Sequence, residues 1–194
     1  MARRYICLDD CRSYIVNVSH RRRTHMSIAA LGASNIQVTT RPHKVVAAND
    51  GLRRHSVPGE TLLYKVTGDD TDGALDCFVL TMQPHSGPPL HIHHQQHETI
   101  YFLTGSYKVQ IDGDVFRCEA GGFVHIPRGA RHAFLNVGDR LGECMVTFAP
   151  GGTDKFFEEF APAVRSTDHP DPAKIAPIFA KYGWELVGPP LLAD

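Results

Sequence analysis

Residues 87–105, GPPLHIHHQQHETIYFLTG, then 106–120, SYKVQIDGDVFRCEA, and 121–136, GGFVHIPRGARHAFLN, decide how this chain is read. Successive side chains of an extended strand alternate faces, so His91 and His93 point to the same side and can grip one ion. The β-prone run HETIYFL puts Glu98, Ile100 and Phe102 on one face and His97, Thr99 and Tyr101 on the other. Glu98 therefore enters an apolar interior, where an unpaired carboxylate is costly and a cation removes the cost. Downstream, Gly121-Gly122 punctuates the chain, Pro127-Arg128-Gly129 makes a tight corner, and HAFLN follows with His132, Phe134 and Asn136 on one face. His132 then looks into the same interior from another strand. Four ionisable groups on one interior face need a joint explanation, and a bound metal supplies it.

The neighbouring residues have plainer readings. His94 and His97 fall out of phase with His91, His93 and Glu98 and are read as outward or loop residues. His125 and Tyr101 are read as surface residues. Asn136 is expected to brace the corner through backbone hydrogen bonds. Met82, Phe78, Ile100, Phe102, Phe116, Phe134 and Phe148 are candidates to line a pocket, although core packing accounts for most of them equally well.

From Pro42 onward β signals dominate. HKVVAA, TLLYKVTG, ALDCFVLTMQ, PLHIHH, ETIYFLTG, YKVQI, VFRCE, FVHIP, HAFLNV and ECMVTFA are short β-prone runs separated by Gly- and Asp-rich turns. Asp112-Gly113 suits a two-residue hairpin, because its turn needs positive φ at both central residues. Many short strands at close spacing argue for an all-β sandwich or barrel, whose interior can enclose one small ligand. After Pro150 the composition changes. TDKFFEEFAPAV reads as an amphipathic helix with Thr153 as N-cap, Asp154 at the positive end of the dipole and Phe156, Phe157 and Phe160 as its apolar stripe. It is expected to pack across the outside of the barrel. A second helix takes Asp171 as N-cap, Pro172 at its first position and Gly183 as its stop, with Pro177 expected to kink it or delay its start.

The spacing of the site residues resembles the cupin superfamily. Its first motif has a His, one residue, a second His, a short gap, a Glu, and a Gly seven positions later, which His91, His93, Glu98 and Gly105 fit. Its second has the spacing shown by Gly121, Pro127, Gly129, His132 and Asn136. The departure is His85, which stands where the first motif usually begins with Gly. The resemblance implies a double-stranded β-helix, or jelly roll, with one or two short C-terminal helices. It divides the chain into an extension, 1–40, a cupin barrel, 41–152, and a helical segment, 153–194. Residues from about Gly68 to Pro150 look like the small single-domain cupins related to quercetin 2,3-dioxygenase, which implies a dioxygenase acting on a flavonol or another aromatic or polyketide-derived compound.

Three imidazoles and a carboxylate suit one divalent transition metal, Fe(II), Mn(II), Ni(II), Co(II), Cu(II) or Zn(II), held by His91, His93, Glu98 and His132. Four protein ligands leave an octahedral ion two positions, enough for a bidentate substrate or for a substrate oxygen with dioxygen. The expected chemistry is metal-assisted oxidation of a small molecule, with Glu98 as the catalytic residue, either staying a ligand or taking the substrate proton. Redox-neutral isomerisation or cyclisation is the first rival, and a non-catalytic small-molecule-binding barrel the second.

Composition narrows the remainder. The 194 residues allow one domain with extensions, and the formal net charge of −1 gives no reason to expect a nucleic acid or anionic membrane as partner. No apolar run approaches the roughly 20 residues needed to cross a bilayer. Twelve histidines are many for this length, and the cluster between His85 and His132 concentrates them at the site. Cys7, Cys11, Cys77, Cys118 and Cys144 show neither a disulfide framework nor thiolate-zinc spacing, so a reducing, cytoplasmic setting is the default. The Arg-rich start has only Asp9 and Asp10 as acids and reads as a poorly ordered extension, with mitochondrial targeting as its alternative. Cupins pair through barrel edges, and an exposed edge strand is itself a pairing surface, so a homodimer is expected.

Overall fold

A computed structural model describes residues 43–51, 53–165 and 171–193, all within one compact unit, Arg41–Asp194. The expectations for residues 1–40, including Cys7, Cys11 and a targeting role, lie outside the described residues. The elements run β1 (Arg53–Val57), β2 (Glu60–Val66), β3 (Asp76–Met82), β4 (Pro89–His93), β5 (His97–Thr104), β6 (Ser106–Ile111) and β7 (Asp114–Glu119). They continue with β8 (Phe123–Ile126), β9 (Arg131–Asn136), β10 (Gly142–Ala149), α1 (Thr153–Val164), α2 (Pro172–Lys181) and β11 (Trp184–Pro190). One antiparallel sheet has the order β1-β2-β3-β10-β5-β8 and the other β11-β4-β9-β6-β7. The two sheets make the jelly roll that the cupin resemblance implies, with two short helices following it.

Alternation builds the core. In β3 and β10 every second side chain is buried, which places Phe78, Leu80, Val146 and Phe148 on the inner face with Leu62 and Tyr64 of β2 and Ile100 and Phe102 of β5. The hairpin between β6 and β7 turns at Asp112 and Gly113, both with positive φ (49° and 98°), as its two-residue loop requires. Asn136 is buried and its Nδ2 donates to the carbonyls of Met82, Gln83 and Arg140, so it braces the corner as expected. His85 takes φ +59°, a conformation glycine adopts freely, which explains why a glycine is usual at that place in the motif.

Several readings change. HKVVAA forms no strand. The segment after residue 153 is not wholly helical, because β11 pairs with β4 and completes the second sheet. Thr153 does not cap α1: Gly152 does, in a left-handed conformation, and the cap's acceptor comes from β3. Buried Asp76 Oδ2 accepts from Gly152 N (2.8 Å), Thr153 N (2.5 Å) and Thr153 Oγ1 (2.7 Å), so a carboxylate sits on the positive end of the helix. With its proton given to Asp76, the Thr153 hydroxyl accepts from Tyr64 Oη at 2.8 Å. The second helix starts at Pro172, where Asp171 caps it through Ala173 N, and Pro177 is carried inside it without delaying the start.

The helices also sit elsewhere than across the barrel's outside. α1 packs on β1 and α2 on β11, one edge strand of each sheet, so the pair bridges the seam between the sheets. Phe156 and Phe179 turn inward and meet Trp184 of β11, with Phe156 4.1 Å from the indole centroid to centroid. Among the described residues no helix is long and apolar enough to cross a membrane.

Asp76 is the polar tie between barrel and seam. Asp76→Ala is expected to lower unfolding free energy by about 2–4 kcal/mol, since it strands three donors at a buried helix start. Urea unfolding measures it, and a loss below about 0.5 kcal/mol, the level of an ordinary surface change, would contradict this role.

Candidate metal centre

Two strands of one sheet and one of the other converge on the site. β4 presents His91 and His93 on its inner face, β9 presents His132 directly across from His91, and β5 presents Glu98 from the opposite sheet. All four are buried, and one ligand atom from each lies within 4.8 Å of the others. His91 Nε2 is 3.0 Å from His93 Nε2, His132 Nε2 is 3.0 Å from Glu98 Oε2, and His93 Nε2 is 3.3 Å from the same oxygen.

Backbone carbonyls set the tautomers. His91 Nδ1 donates to Pro89 O (2.7 Å) and His132 Nδ1 donates to Ala130 O (3.0 Å), which turns both Nε2 atoms toward the centre. His93 Nδ1 is buried with no hydrogen-bond partner; packing orients this ring instead, between Trp184 (4.0 Å) and Phe148 (5.0 Å) at near-perpendicular angles. Two facing Nε2 atoms 3.0 Å apart in a buried site make a poor pair without a shared cation. That arrangement, with a carboxylate alongside, fits a divalent ion with nitrogen and oxygen ligands.

Charge follows geometry. Desolvation, then the neighbouring His132 and His93, hold His91 well below the ordinary imidazole range, and desolvation lowers His93 as well. For Glu98 burial pushes upward, but the His132 and His93 hydrogen bonds outweigh it and the carboxyl stays well below its usual range. Desolvation lowers His132, yet its bond to Glu98 wins and raises it. Without metal the carboxylate therefore faces, in His132, the imidazole that holds a proton most readily, with His91 and His93 beside it holding one less readily.

Other histidines stay out. His94 is half exposed and bonds Glu185 of β11 at 3.0 Å. His97 stacks on exposed His125, centroids 5.5 Å apart, on the outer face where Tyr101 also lies. Of the phenylalanines considered for a pocket, Phe78, Phe134 and Phe148 line a cavity of 610 Å³ that opens onto His91, His93 and Glu98. Phe102 is core, and Phe116 is 49% exposed on β7. Sequence reasoning missed two residues of this region: Trp184, hidden in a segment read as helical, and Glu60, which lines the same cavity in phase with Leu62 and Tyr64.

Purified protein is expected to take up close to one transition metal ion per chain, and His91→Ala or His132→Ala to release it; elemental analysis showing full retention in both would remove these residues from the site. Because the contact with Glu98 raises His132, which must lose its proton to bind an ion, uptake is expected to release protons, more of them as the pH falls. The sign is fixed: affinity falls as pH drops through the raised His132 value, and the release fades above it. Calorimetry in buffers of different ionisation heat reads both.

Comparison with known proteins agrees with this architecture. Residues 78–149 match the family model described as cupin domain. Polyketide synthase CurC of Streptomyces cyaneus is 32% identical over 90 residues, which is 46% of this chain; the chain spans 57% of that protein's length. A structure described as a predicted oxalate decarboxylase from Thermotoga maritima superposes with a TM-score of 0.50 at 20% identity, covering 55% of this chain and 99% of that one. The structure of KdgF from Halomonas sp. gives 0.48 at 16% identity, covering 53% and 90%. The strand order, the matched stretch and the superposition together establish a cupin jelly roll, with a buried cluster of three histidines and a glutamate that could hold a metal ion.

Proposed function

We propose that this chain is a metal-dependent cupin enzyme that oxidises a small aromatic, flavonol-like or polyketide-derived compound. The observation that carries the reading is the opening of the cluster, through His91, His93 and Glu98, onto a mostly apolar 610 Å³ cavity, large enough for a multi-ring molecule. A divalent ion in the cluster would supply Lewis acidity toward a substrate oxygen and, for a redox-active metal, an electron path to dioxygen.

The protein's own residues do the rest. The phenylalanines of β3, β9, β10 and α1 exclude water from the reacting atoms. Glu98 stays anionic across the neutral range, so its carboxylate is available to accept the proton of an enol or phenol bound beside it. His132 and His93 hold its Oε2 in place from two strands, and Trp184 keeps the His93 ring from turning away. The similarity to a protein named as a polyketide synthase supports a polyketide-derived substrate. It also favours a second reading, in which the same centre closes or isomerises such a compound with no change in oxidation state.

Turnover with and without dioxygen separates the two. On a panel of flavonols, catechols and polyketide-type phenols, oxygen uptake matched to product is expected, and equal product formation under nitrogen would replace oxidation by the redox-neutral reading. Glu98→Gln is expected to lower kcat by about a hundredfold or more while the protein remains folded. Metal content measured alongside shows whether the loss comes from the missing base or from an emptied site.

A further inference from the structure

The cavity holds a second acid that the metal centre does not use. Glu60 opens β2, directly after the Pro58-Gly59 turn, and shares the inner face with Leu62 and Tyr64. Val57 and Pro58 precede it in the chain, and the wall of the cavity it lines is mostly apolar, with Leu62, Leu80 and Phe78 among its residues. Glu60 makes no hydrogen bond or ion pair with a described residue. It keeps some accessible surface because it lines the cavity, yet protein surrounds its carboxyl closely enough that burial pushes its pKa up to about 8. A carboxyl in such a place without a partner is costly, and a fold that keeps it there leaves a hydrogen bond to be made by a guest.

Register places this acid far from the metal ligands. Glu60 pairs with Met82, Met82 with Gly142, and on the same strand Phe148 pairs with Glu98. Gly142 and Phe148 are separated by six residues, or about 20 Å of strand, so the two acids start from opposite ends of the sheet; their side chains lean into one cavity, and Cys144 between them feels both carboxylates, so the carboxyls lie closer together than their backbones. We infer that Glu60 is a specificity-determining residue that hydrogen-bonds a ligand oxygen at the end of the cavity away from the metal cluster, selecting elongated, largely apolar molecules with oxygen at both ends. This rests on the reading of the cavity as the substrate site. At neutral pH the mainly protonated carboxyl donates to a carbonyl or accepts from a hydroxyl, whereas a ligand lacking that oxygen leaves it unpaired; sites of this kind reject the shorter analogue strongly.

Two fluorescent probes test it: 3-hydroxyflavone, with its chelating oxygens at one end, and 3,4′-dihydroxyflavone, which adds a hydroxyl at the other. Each is titrated into the protein as purified and into zinc-loaded protein under nitrogen, where no oxidation interferes. Wild type is expected to bind the dihydroxy probe roughly five- to tenfold more tightly, the worth of one good hydrogen bond. Glu60→Leu should erase that preference while leaving 3-hydroxyflavone affinity, metal content and thermal midpoint unchanged or improved, and Glu60→Gln should keep part of it. A purely structural Glu60 would instead weaken both probes alike and lower the midpoint. Absence of the preference in wild type, its persistence in Glu60→Leu, or failure of either flavone to bind overturns the inference. Failure of the enzymatic reading shows separately, as a preference that stands in a protein without metal-dependent turnover.

Discussion

A carboxylate buried in an apolar barrel must be answered by positive charge or donors, and the answer to Glu98 orders the middle of this protein. The side chain comes from a strand whose in-phase neighbours, Ile100 and Phe102, are fully buried, so it cannot reach water without turning the strand over. Three imidazoles from the facing sheet meet it, two of them tied by their outer nitrogens to backbone carbonyls. Those ties use carbonyls two residues away on the same strand ends, so the sequence spacing that puts His91 and His132 on an inner face also fixes their tautomers. Removing His132 or His93 takes away a partner of the buried carboxylate, so the anion and these two imidazoles depend on one another.

Much of this was legible because strands carry a period of two. His91 with His93, Glu98 with Ile100 and Phe102, and His132 with Phe134 and Asn136 all face as alternation requires, and the out-of-phase His94, His97 and His125 lie outside. The hairpin at Asp112-Gly113 was readable for a similar reason, since few residue pairs tolerate two positive φ angles. What escaped is long-range. WELVGPP carries two prolines and a glycine, which argue against a strand, but as an edge strand β11 needs pairing on one side only. The cap of α1 comes from Asp76, 76 residues from Gly152, and no local pattern around Thr153 shows it. HKVVAA has β propensity with no partner strand, and propensity without pairing does not make a sheet.

The seam explains why the helices matter to chemistry. A jelly roll closed only by its own strands would leave β1 and β11 as open edges. Packing α1 on β1 and α2 on β11 covers both edges and deepens the cavity, with Phe156, Phe179 and Trp184 packed at its wall. The helices that cover this seam contribute Phe156, Phe157, Phe160 and Phe179 to the cavity wall, with Val164 and Ile175 beside them.

The two interior glutamates show how little residue type decides by itself. Glu98 and Glu60 lie on strands of one sheet, face the same cavity and are both removed from bulk water. Burial alone raises a carboxyl, and at Glu60 nothing opposes it. At Glu98 the same penalty is overcome by two imidazole contacts, and the group is held as an anion. One cavity therefore offers an anionic carboxylate at the histidine cluster and, elsewhere in its largely apolar wall, a carboxyl that burial keeps mainly neutral. A molecule that satisfies both must carry oxygen at two distant points with a hydrophobic body between them, and that constraint on the guest follows from the placement of two acids rather than from the fold.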